Sequence, residues 1–563
     1  MNTPNGTATS TDDFFVPPSP YTASDVVVAT RMTPGSQTVT ISTSGKVGMV
    51  LFDAAAGQRA SIKVTSCSIF MTAIAVYEPN GRLLNLGSAS ANANGFLTTS
   101  SFNSSGTYAI LIDPNTTSTG AITFTLYVFN DVIGSITPGG SGVSVSISTP
   151  GQVAFLAFSG TATQRVSAKM TSGSWTGGSP SAANVSIINP DGTFLATQFT
   201  ETSSFMDRQE LPTTGTYVLF TDPSLATTGG VTLTLYNVGA DITGSITPGG
   251  SSVTVSPNIP GLNALHTFSG TANQRVSLKI TSGSWTGGAP SAANISLRKP
   301  DGTAMDTKFV NSSGFIDVQT LPSSGTYTVK TDPTNSSTGS VALTLYDVPA
   351  DATDTITLGT PAVNTNTVPG QNAIRTFSGT ANQRISVAAS GASLTGGVSG
   401  NSTDILLKKP DGSNLGSVFV TGSGFIDTQT LPTTGTYSVV SDPNNSAVGS
   451  VTVTAYDVTD SSGTVTINGG ATTVTTSTPG QNGNYTFSGT ASQQVTVSVA
   501  SNTTSCTAIT LKKPDGSTLA STSSCAGSFS LSQQTLPTTG TYTIFVNPSS
   551  SNTGSLNLSV TSP

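Results

Sequence analysis

The residue types that most often catalyse reactions are scarce in this sequence. His266 is the single histidine among 563 residues. A catalytic histidine needs an oriented acid or a nucleophile beside it. In the sister copies of the repeat described below, the matching residues are Leu156, Arg375 and Tyr485. A position that varies this much within one chain is typical of a strand face, so we expect no catalytic residue and a protein that is not an enzyme.

Two of the three cysteines have a spacing that predicts a bond. Cys506 lies nine residues before Asp515, and Cys525 lies nine residues after Gly516, on either side of a Pro-Asp-Gly turn. In a two-residue hairpin the two cysteines would face each other, and in a bulged three-residue loop they would be one step out of register. Both arrangements bring them close enough for a disulfide, with two free thiols as the alternative. A disulfide would imply an oxidising, extracytoplasmic setting. Cys67 has no counterpart and is expected to be a buried core thiol.

Arginine and aspartate recur at matching positions and suggest structural ion pairs. The arginine follows Gln in a Gln-Arg motif, and the aspartate stands in a Phe-x-Asp-x-Gln motif. In the fifth copy Gln494 and Ser532 replace them together, which favours contact between the two positions. The alternative is two independent solvated residues, and an exposed pair would add little stability. The predicted pairs are Arg165 with Asp207, Arg275 with Asp317, and Arg384 with Asp427.

Two tryptophans are the candidate ligand contacts. Trp175 and Trp285 each lie in the sequence TSGSWTGG, and Leu394 takes this place in the fourth copy. An exposed tryptophan flanked by Gly and Ser could stack on a sugar ring. The alternative is an apolar plug that closes one end of a domain, and replacement by leucine fits a plug better because leucine retains burial and loses stacking.

The composition excludes several classes of protein. Charged residues make up 8% of the chain, against about 25% in typical soluble proteins. The 20 Lys and Arg, the net charge of −7 and the pI near 4.7 exclude a nucleic-acid-binding footprint. The sequence has no run of 18 apolar residues, so we expect no membrane span. Long helix-forming stretches are also absent, which leaves an all-β protein with a surface of hydroxyls and amides.

An internal repeat of 105–110 residues accounts for nearly the whole chain. The tripeptide Gly-Thr-Tyr marks the five copies, at Gly106, Gly215, Gly325, Gly435 and Gly540. A Pro-Asp-Gly or Pro-Asn-Gly turn and a TFSGTA-x-Q-R motif keep step with it. The predicted organisation is a leader or linker over 1–24 and repeats over 25–130, 131–240, 241–350, 351–459 and 460–563.

Alternation of apolar and polar residues within each copy predicts strands with one buried face. In Gln274–Thr281, Val276, Leu278 and Ile280 alternate with polar residues, and turn signals recur every 8–12 residues. The predicted fold is all-β, with five tandem antiparallel β-sandwich domains of jelly-roll type in an elongated array.

The order of the motifs resembles the bacterial pre-peptidase C-terminal domains. Each copy runs from FSGTA-x-Q-R through a Pro-Asp-Gly turn and LPTTGTY to a closing VTLTLYDV strand. The resemblance covers about residues 25–563 and implies secreted β-sandwich modules of large surface proteins, some of which carry YD-repeat regions. The architecturally similar collagen-binding modules of clostridial collagenases use calcium. Because this chain has only 27 acidic residues, we expect no cofactor, with calcium as the open alternative.

These features together predict a non-enzymatic, extracellular or cell-surface stalk or adhesin-type segment. Its partners would be flanking domains of a larger protein or neighbouring copies, with no nucleic acid and no membrane span. One alternative is a multivalent array that binds carbohydrate or matrix protein. A second is a self-assembling surface filament, in which the segment containing Phe14, Phe15 and Val16 could be a donated strand.

Overall fold

The computed structural model describes residues 16–90, 95–115 and 117–563. Within these ranges the regular secondary structure consists of 45 β-strands, and no helix occurs. The all-β expectation is therefore confirmed. Phe14 and Phe15 lie outside the described residues.

The strands fall into five groups of nine along the chain. The first group comprises β1 (Val26–Arg31), β2 (Gly35–Ile41), β3 (Val47–Ala54), β4 (Arg59–Cys67), β5 (Met71–Tyr77), β6 (Leu83–Ser90), β7 (Phe96–Thr98), β8 (Gly106–Pro114) and β9 (Gly120–Phe129). The second comprises β10 (Val132–Ser135), β11 (Val143–Ile147), β12 (Ala154–Gly160), β13 (Arg165–Thr176), β14 (Ala183–Ile188), β15 (Phe194–Thr200), β16 (Ser204–Glu210), β17 (Gly215–Pro223) and β18 (Thr228–Val238). The third comprises β19 (Ile242–Ser245), β20 (Val253–Val255), β21 (Ala264–Gly270), β22 (Arg275–Thr286), β23 (Ala293–Arg298), β24 (Ala304–Val310), β25 (Gly314–Thr320), β26 (Gly325–Pro333) and β27 (Thr338–Asp347).

The last two groups repeat the pattern. The fourth comprises β28 (Ala352–Thr355), β29 (Ala362–Asn366), β30 (Ala373–Gly379), β31 (Arg384–Thr395), β32 (Thr403–Lys408), β33 (Asn414–Val420), β34 (Gly424–Thr430), β35 (Gly435–Pro443) and β36 (Val448–Asp457). The fifth comprises β37 (Ser461–Thr464), β38 (Thr472–Thr476), β39 (Gly483–Gly489), β40 (Gln494–Ala500), β41 (Thr507–Lys512), β42 (Thr518–Ser524), β43 (Phe529–Thr535), β44 (Gly540–Pro548) and β45 (Gly554–Thr561).

Every group of nine strands forms one five-stranded and one four-stranded sheet. In the second repeat the orders are β10-β12-β17-β14-β15 and β11-β18-β13-β16, and the other repeats follow the same orders. Inward side chains of both sheets meet in a single hydrophobic core. In the second repeat Leu156 and Leu219 come from the five-stranded sheet, and Met170 and Leu233 come from the four-stranded sheet.

The expected array of antiparallel, jelly-roll-like sandwiches is wrong as stated, because parallel bridges recur in every repeat. The first strand of each group runs parallel to the third, as β10 does to β12 and β19 to β21. These bridges form five separate ladders of four or five residue pairs each. The strand between the two partners crosses to the opposite sheet, so the chain returns in its original direction. Alternation of apolar and polar residues shows which face of a strand is buried. It does not show whether the neighbouring strand is parallel or antiparallel, so the parallel pairs could not be predicted from it.

The Gly-Thr-Tyr motif marks the centre of each core. Tyr217 is fully buried, stacks on Phe158 at 5.4 Å between ring centroids, and donates a hydrogen bond from Oη to the Thr213 carbonyl oxygen at 2.7 Å. The glycine of the motif packs on the proline of the turn, since a Cβ on Gly215 would stand 2.7 Å from Cγ of Pro190. The recurring tripeptide therefore serves packing.

The Pro-Asp-Gly sequence turns the chain between β14 and β15. Asp191 Oδ1 accepts a hydrogen bond from the Thr193 N–H at 2.9 Å, and Gly192 has φ of 87°. The side chain of Asp fixes the turn and Gly takes the left-handed conformation. The same turn places β41 beside β42 in the fifth repeat.

Candidate functional site

The four boundaries between successive repeats share one set of contacts, which we call the junction. Its first part is an ion pair from the Gln-Arg motif of one repeat to the aspartate that begins the next repeat, just ahead of its first strand. Arg275 Nη2 donates to Asp351 Oδ1 at 2.7 Å, and both side chains are about three-quarters buried. The equivalent pairs are Arg59 with Asp131, Arg165 with Asp241, and Arg384 with Asp460.

The junction aspartate also binds the backbone of its own repeat. Asp351 Oδ1 accepts the Asn372 N–H at 3.1 Å, and Asp131 and Asp460 accept the N–H groups of Val153 and Asn482. One carboxylate thus holds the arginine of the preceding repeat and the first residues of the following core. At the second boundary Arg208 also binds Asp241.

A Pro-Gly turn of the following repeat forms the second part of the junction. Ser277 Oγ donates to the Pro369 carbonyl oxygen at 2.7 Å. Gly370 has φ of 85°, and a Cβ there would stand 3.2 Å from Cβ of Ser277. Glycine is needed both for the left-handed backbone and for the close approach. The equivalent hydrogen bonds join Ser61 to Pro150, Ser167 to Pro260, and Ser386 to Pro479.

The fold of a single repeat does not explain why these four serines are buried. Ser61, Ser167, Ser277 and Ser386 have 0% exposure although their strands turn this face away from the core of their own repeat. The docked Pro-Gly turn buries each hydroxyl and accepts its hydrogen bond, which satisfies a buried polar group.

A lysine adds a third contact at the two central boundaries. Lys169 Nζ donates to the Gly287 carbonyl oxygen at 3.0 Å, and Lys279 Nζ donates to that of Gly396 at 2.7 Å. The acceptors lie in the Gly-Gly loop that follows the TSGSW segment or its counterpart. Both central junctions therefore connect one strand of a repeat to three separate segments of the next.

The predicted ion pairs Arg165–Asp207, Arg275–Asp317 and Arg384–Asp427 are wrong. A bulge between Val166 and Ala168 shifts the register, so Arg165 lies opposite Glu210 and binds it at 3.3 Å. The same bulge recurs in β22 and β31. The arginines bind the junction aspartates instead.

Two of the three Phe-x-Asp residues lie beside the docked turns, and at the last boundary Thr428 takes this place beside Gly480. Asp317 Oδ1 would be 3.2 Å from a Cβ on Gly370, and Asp207 holds the same place by Gly261. Burial raises the pKa of Asp207 and of Asp317. Arginine and aspartate both face the following repeat, so their joint replacement by Gln494 and Ser532 reflects a shared surface and not a mutual bond.

The tryptophans lie inside the repeats. Trp175 and Trp285 are each only 8% exposed and belong to the cores of the second and third repeats. Their indole nitrogens have no hydrogen-bond partner in the described part of the chain. The predicted sugar-stacking contact is therefore wrong, because the rings offer no free face to solvent; the apolar plug is the arrangement observed.

A disulfide joins Cys506 to Cys525 across the hairpin of β41 and β42. The register pairs Thr507 with Ser524, so the cysteines stand opposite each other one residue beyond the ladder. Cys67 is a half-buried free thiol packed against the core of the first repeat.

No single sequence motif predicted the contacts of the junctions. The missed residues are the junction aspartates and the serines two positions after each arginine. One signal was present, because the fifth repeat replaces both Arg and Ser of the Arg-x-Ser pattern, with Gln494 and Thr496. In the structure Gln494 is exposed and Thr496 is half-buried.

The described residues contain no group of three or more His, Cys, Asp or Glu arranged to hold a metal ion. Among the same residues, no helix has the length and apolar character needed to cross a membrane.

Comparison with known proteins gives distant structural likeness only. No protein family matches the sequence, and no curated protein matches it. A periplasmic inhibitor of g-type lysozyme from Aeromonas hydrophila, PliG, aligns over 99% of its length with 19% of this chain, at 17% identity and a TM-score of 0.14. An archaeal virus protein described as having a triple jelly roll fold aligns over 88% of its length with 56% of this chain, at 10% identity and a TM-score of 0.14. Tripeptidyl peptidase 2 aligns over 37% of its length with 90% of this chain, at 7% identity and a TM-score of 0.15.

Proposed function

We propose that this chain is a non-enzymatic extracellular spacer that holds flanking domains of a larger protein, or neighbouring copies, in a fixed spatial relation. The junction is the observation that carries the proposal. Four successive boundaries use the same arginine–aspartate pair and the same serine–proline hydrogen bond. A chain of independently tumbling domains would have no use for such contacts.

The ion pairs of the junction are largely buried, so they stabilise the boundary more than exposed ion pairs would. Exposed ion pairs contribute little, with a median of about 0–1 kcal/mol. Arg59 and Asp131 have 18% and 11% of their side chains exposed, and Arg275 and Asp351 have 21% and 25%. A hydrogen bond to a charged group contributes about 1.5–3 kcal/mol, so each boundary has enough energy to favour one orientation.

The composition suits exposure outside the cell. Lys and Arg total 20 in 563 residues, and many of them are engaged in the contacts above. Proteases that cleave after basic residues would find few accessible sites. The disulfide in the fifth repeat fits an oxidising compartment.

Small-angle scattering of the whole chain tests this proposal. The wild type should scatter as one rigid particle. Replacing Arg59, Arg165, Arg275 and Arg384 by Gln, the residue found at position 494, should give the scattering profile of a flexible chain. Arg298→Gln is the matched control, because the hydrogen bonds of Arg298 to described residues stay within its own repeat, at Ser296 and Gly302. Identical scattering of wild type and quadruple variant would refute the spacer.

One observation favours the multivalent binding array as a second candidate. Phe199, Phe309 and Phe419 occupy the same edge-strand position in three consecutive repeats and are 44%, 57% and 60% exposed. Ser88 and Ser523 take this position in the first and fifth repeats. The triple substitution of these phenylalanines by serine should abolish binding to an array of glycans or matrix proteins and leave the junctions intact. Unchanged binding, or no binding by the wild type, would remove this candidate.

A further inference from the structure

His266 occupies an unusual place in the third repeat. It lies on β21, which turns Ala264, His266 and Phe268 inward, and it is 6% exposed. Its Nδ1 is buried and has no hydrogen-bond partner among the described residues. In the neutral ring Nδ1 can remain an unpaired acceptor, but in an imidazolium it would be a buried N–H donor without an acceptor.

The neighbour of this ring is the short edge strand β19. Gly244 pairs with His266 across a parallel ladder of four residue pairs, and a Cβ on Gly244 would stand 2.7 Å from Nε2 of His266. The missing side chain of Gly244 is what makes room for the imidazole. The other strand beside β21 is β26, which places Val329 opposite His266.

The fourth repeat shows what a cation requires at this position. Arg375 replaces His266 and is held by three acceptors: Asn364 Oδ1 at 2.8 Å, the Val363 carbonyl oxygen at 2.6 Å, and Asp354 Oδ2 at 2.5 Å. In the third repeat the positions of Asn364 and Asp354 are taken by Val255 and Gly244. The third repeat therefore has the titratable group but neither of the side-chain acceptors.

The remaining repeats place an uncharged residue at this position. Leu156 faces Gly134 in the second repeat, and Tyr485 faces Gly463 in the fifth. Each Gly leaves space for the large side chain, since a Cβ would stand 2.9 Å from Leu156 and 2.7 Å from Tyr485.

The edge strand is continuous with the junction. Asp241, which binds Arg165 and Arg208 of the second repeat, immediately precedes Ile242 of β19. The Ile242 N–H donates to the Asn263 carbonyl oxygen, and the Ile246 N–H donates to that of Thr267. Displacement of β19 would thus move the carboxylate that joins the two repeats.

We propose that His266 is an acid-sensitive latch: its protonation expels the ring, detaches β19 and loosens the boundary between the second and third repeats. The groups that face the ring are Gly244 on β19 and Val329 on β26, with no charged residue at either position. Val255 holds the place of the acceptor Asn364. The imidazolium gains no partner within the fold and its burial is unfavourable.

The sign of the pH dependence follows from burial, which lowers the pKa of His266 below its ordinary value of 6.5. The unfolded or detached state binds the proton more tightly. The stability of the latch is therefore complete above pH 6.5 and is lost as the pH falls below it. Below the ordinary pKa, the opening equilibrium rises by up to about tenfold per pH unit until the folded pKa is reached.

Hydrogen exchange of the full chain tests the latch through the amides of β19. After correction for the intrinsic pH dependence of exchange, wild-type β19 should lose protection between neutral pH and about pH 5. His266→Leu, which copies the second repeat, should keep its protection at both values. Val255→Asn, which copies the side-chain acceptor Asn364 of the fourth repeat and leaves the space at Gly244 open, should reduce the loss.

The equivalent strand β10, which lies beside Leu156, is the internal control in every sample. Equal loss of protection in wild type and His266→Leu would overturn the latch, as would unchanged protection of wild-type β19. If His266→Leu fails to fold, His266→Tyr replaces it, because the fifth repeat accepts Tyr485 beside a glycine.

Discussion

Arg275 of the third repeat binds Asp351, the first residue of the fourth, at 2.7 Å, and the same carboxylate accepts the Asn372 N–H at 3.1 Å. This carboxylate connects two hydrophobic cores that otherwise belong to separate sheets. The arginine–aspartate pair recurs at the other three boundaries, and Asp131 and Asp460 also accept a backbone N–H of the following repeat. At the second boundary Arg165 lies 3.9 Å from Asp241, which Arg208 binds as well. Coupling between neighbouring repeats is thus part of the repeat itself, as in other tandem proteins whose stability includes nearest-neighbour terms.

Loss of this arginine should loosen the junction and leave the cores intact. In Arg275→Gln the carboxylate of Asp351 loses its cation, so the amide of Asn372 should exchange faster, by about ten- to a hundredfold for a loss of about 1.5–3 kcal/mol. Hydrogen exchange checks this, with the amides of β30 as the reference for the core. Equal acceleration in β30 would indicate global unfolding and contradict the prediction.

The Pro-Gly turn should be more sensitive to a methyl group than other turns of the same backbone conformation. Gly370→Ala forces a Cβ to 3.2 Å from Ser277 in addition to the strain of a positive φ. Gly302 is the matched control, with φ of 84° and no atom within 4 Å of a Cβ. Both variants should lose about 1–2 kcal/mol of stability in their own repeat.

Only Gly370→Ala should also weaken the contact between the third and fourth repeats. Exchange of the Asn372 amide separates the two effects. Equal acceleration by Gly302→Ala would show that the close approach to Ser277 is unimportant.

The buried tryptophans should contribute to stability and not to ligand binding. Trp285→Ala removes a core side chain and should destabilise the third repeat by about 3–5 kcal/mol. Trp285→Leu should cost less, because Leu394 fills the same place in the fourth repeat. Denaturant unfolding measures both. Wild-type stability of Trp285→Ala together with loss of glycan binding would instead support the stacking role.

The disulfide should stabilise the fifth repeat alone. Cys506 and Cys525 are 19 residues apart, and closing a loop of this size contributes about 3 kcal/mol in the chain-entropy model. Replacing both by Ser should lower the unfolding temperature of that repeat, as followed by hydrogen exchange of β44. Cys67→Ser is the control for thiol removal and should leave β44 unchanged. Equal protection of β44 in the double Cys→Ser variant and in Cys67→Ser would show that the disulfide does not stabilise the fifth repeat.

The face that the fourth repeat presents to the third should be destabilised as the pH rises. Burial, and then the charges of Asp317 and Asp404, raise the pKa of Asp442 from 3.8 to about 6. The stability linked to its protonation is full below the ordinary pKa and is lost as the pH rises through about 6.

Asp442→Asn should therefore increase the protection of β35 amides at neutral pH and have little effect under acidic conditions. Hydrogen exchange of the β35 amides, measured at neutral and at acidic pH, tests the direction of this pH dependence. Greater protection of the wild type at neutral pH would contradict it. This trend is opposite to that of His266, so the two boundaries of the third repeat respond differently to acid.

Much of the local structure was predictable from the sequence. The five copies, the buried alternation in β22 and the Pro-Asp-Gly hairpins follow from period-two patterning and turn chemistry. The parallel edge strands were not predictable, since β19 has only four residues and carries no signal of direction. The pairing of Cys506 with Cys525 was predictable because a hairpin is formed by residues that are close in the sequence.

The junction could not be deduced because its partners lie in different repeats, 72–76 residues apart for the ion pairs and 89–93 residues apart for the serine–proline hydrogen bonds. Arg275 and Asp317 were plausible partners within one sheet, but the register places Arg275 opposite Thr320, three residues from Asp317. The sequence showed that Gln494, Thr496 and Ser532 differ together. It did not show that these positions face the next repeat, because that depends on how one sheet pair docks on another.

Pulsed electron paramagnetic resonance across the third boundary tests the central claim most directly. Nitroxide labels on the exposed positions Thr326 and Thr436, in a Cys67→Ala background, report the distance between the third and fourth repeats. A rigid junction predicts one narrow distance distribution in the wild type. It predicts a broad distribution in Arg275→Gln combined with Ser277→Thr, which gives the third repeat the corresponding residues of the fifth. A broad distribution in the wild type, or an equally narrow one in the variant, would contradict the account.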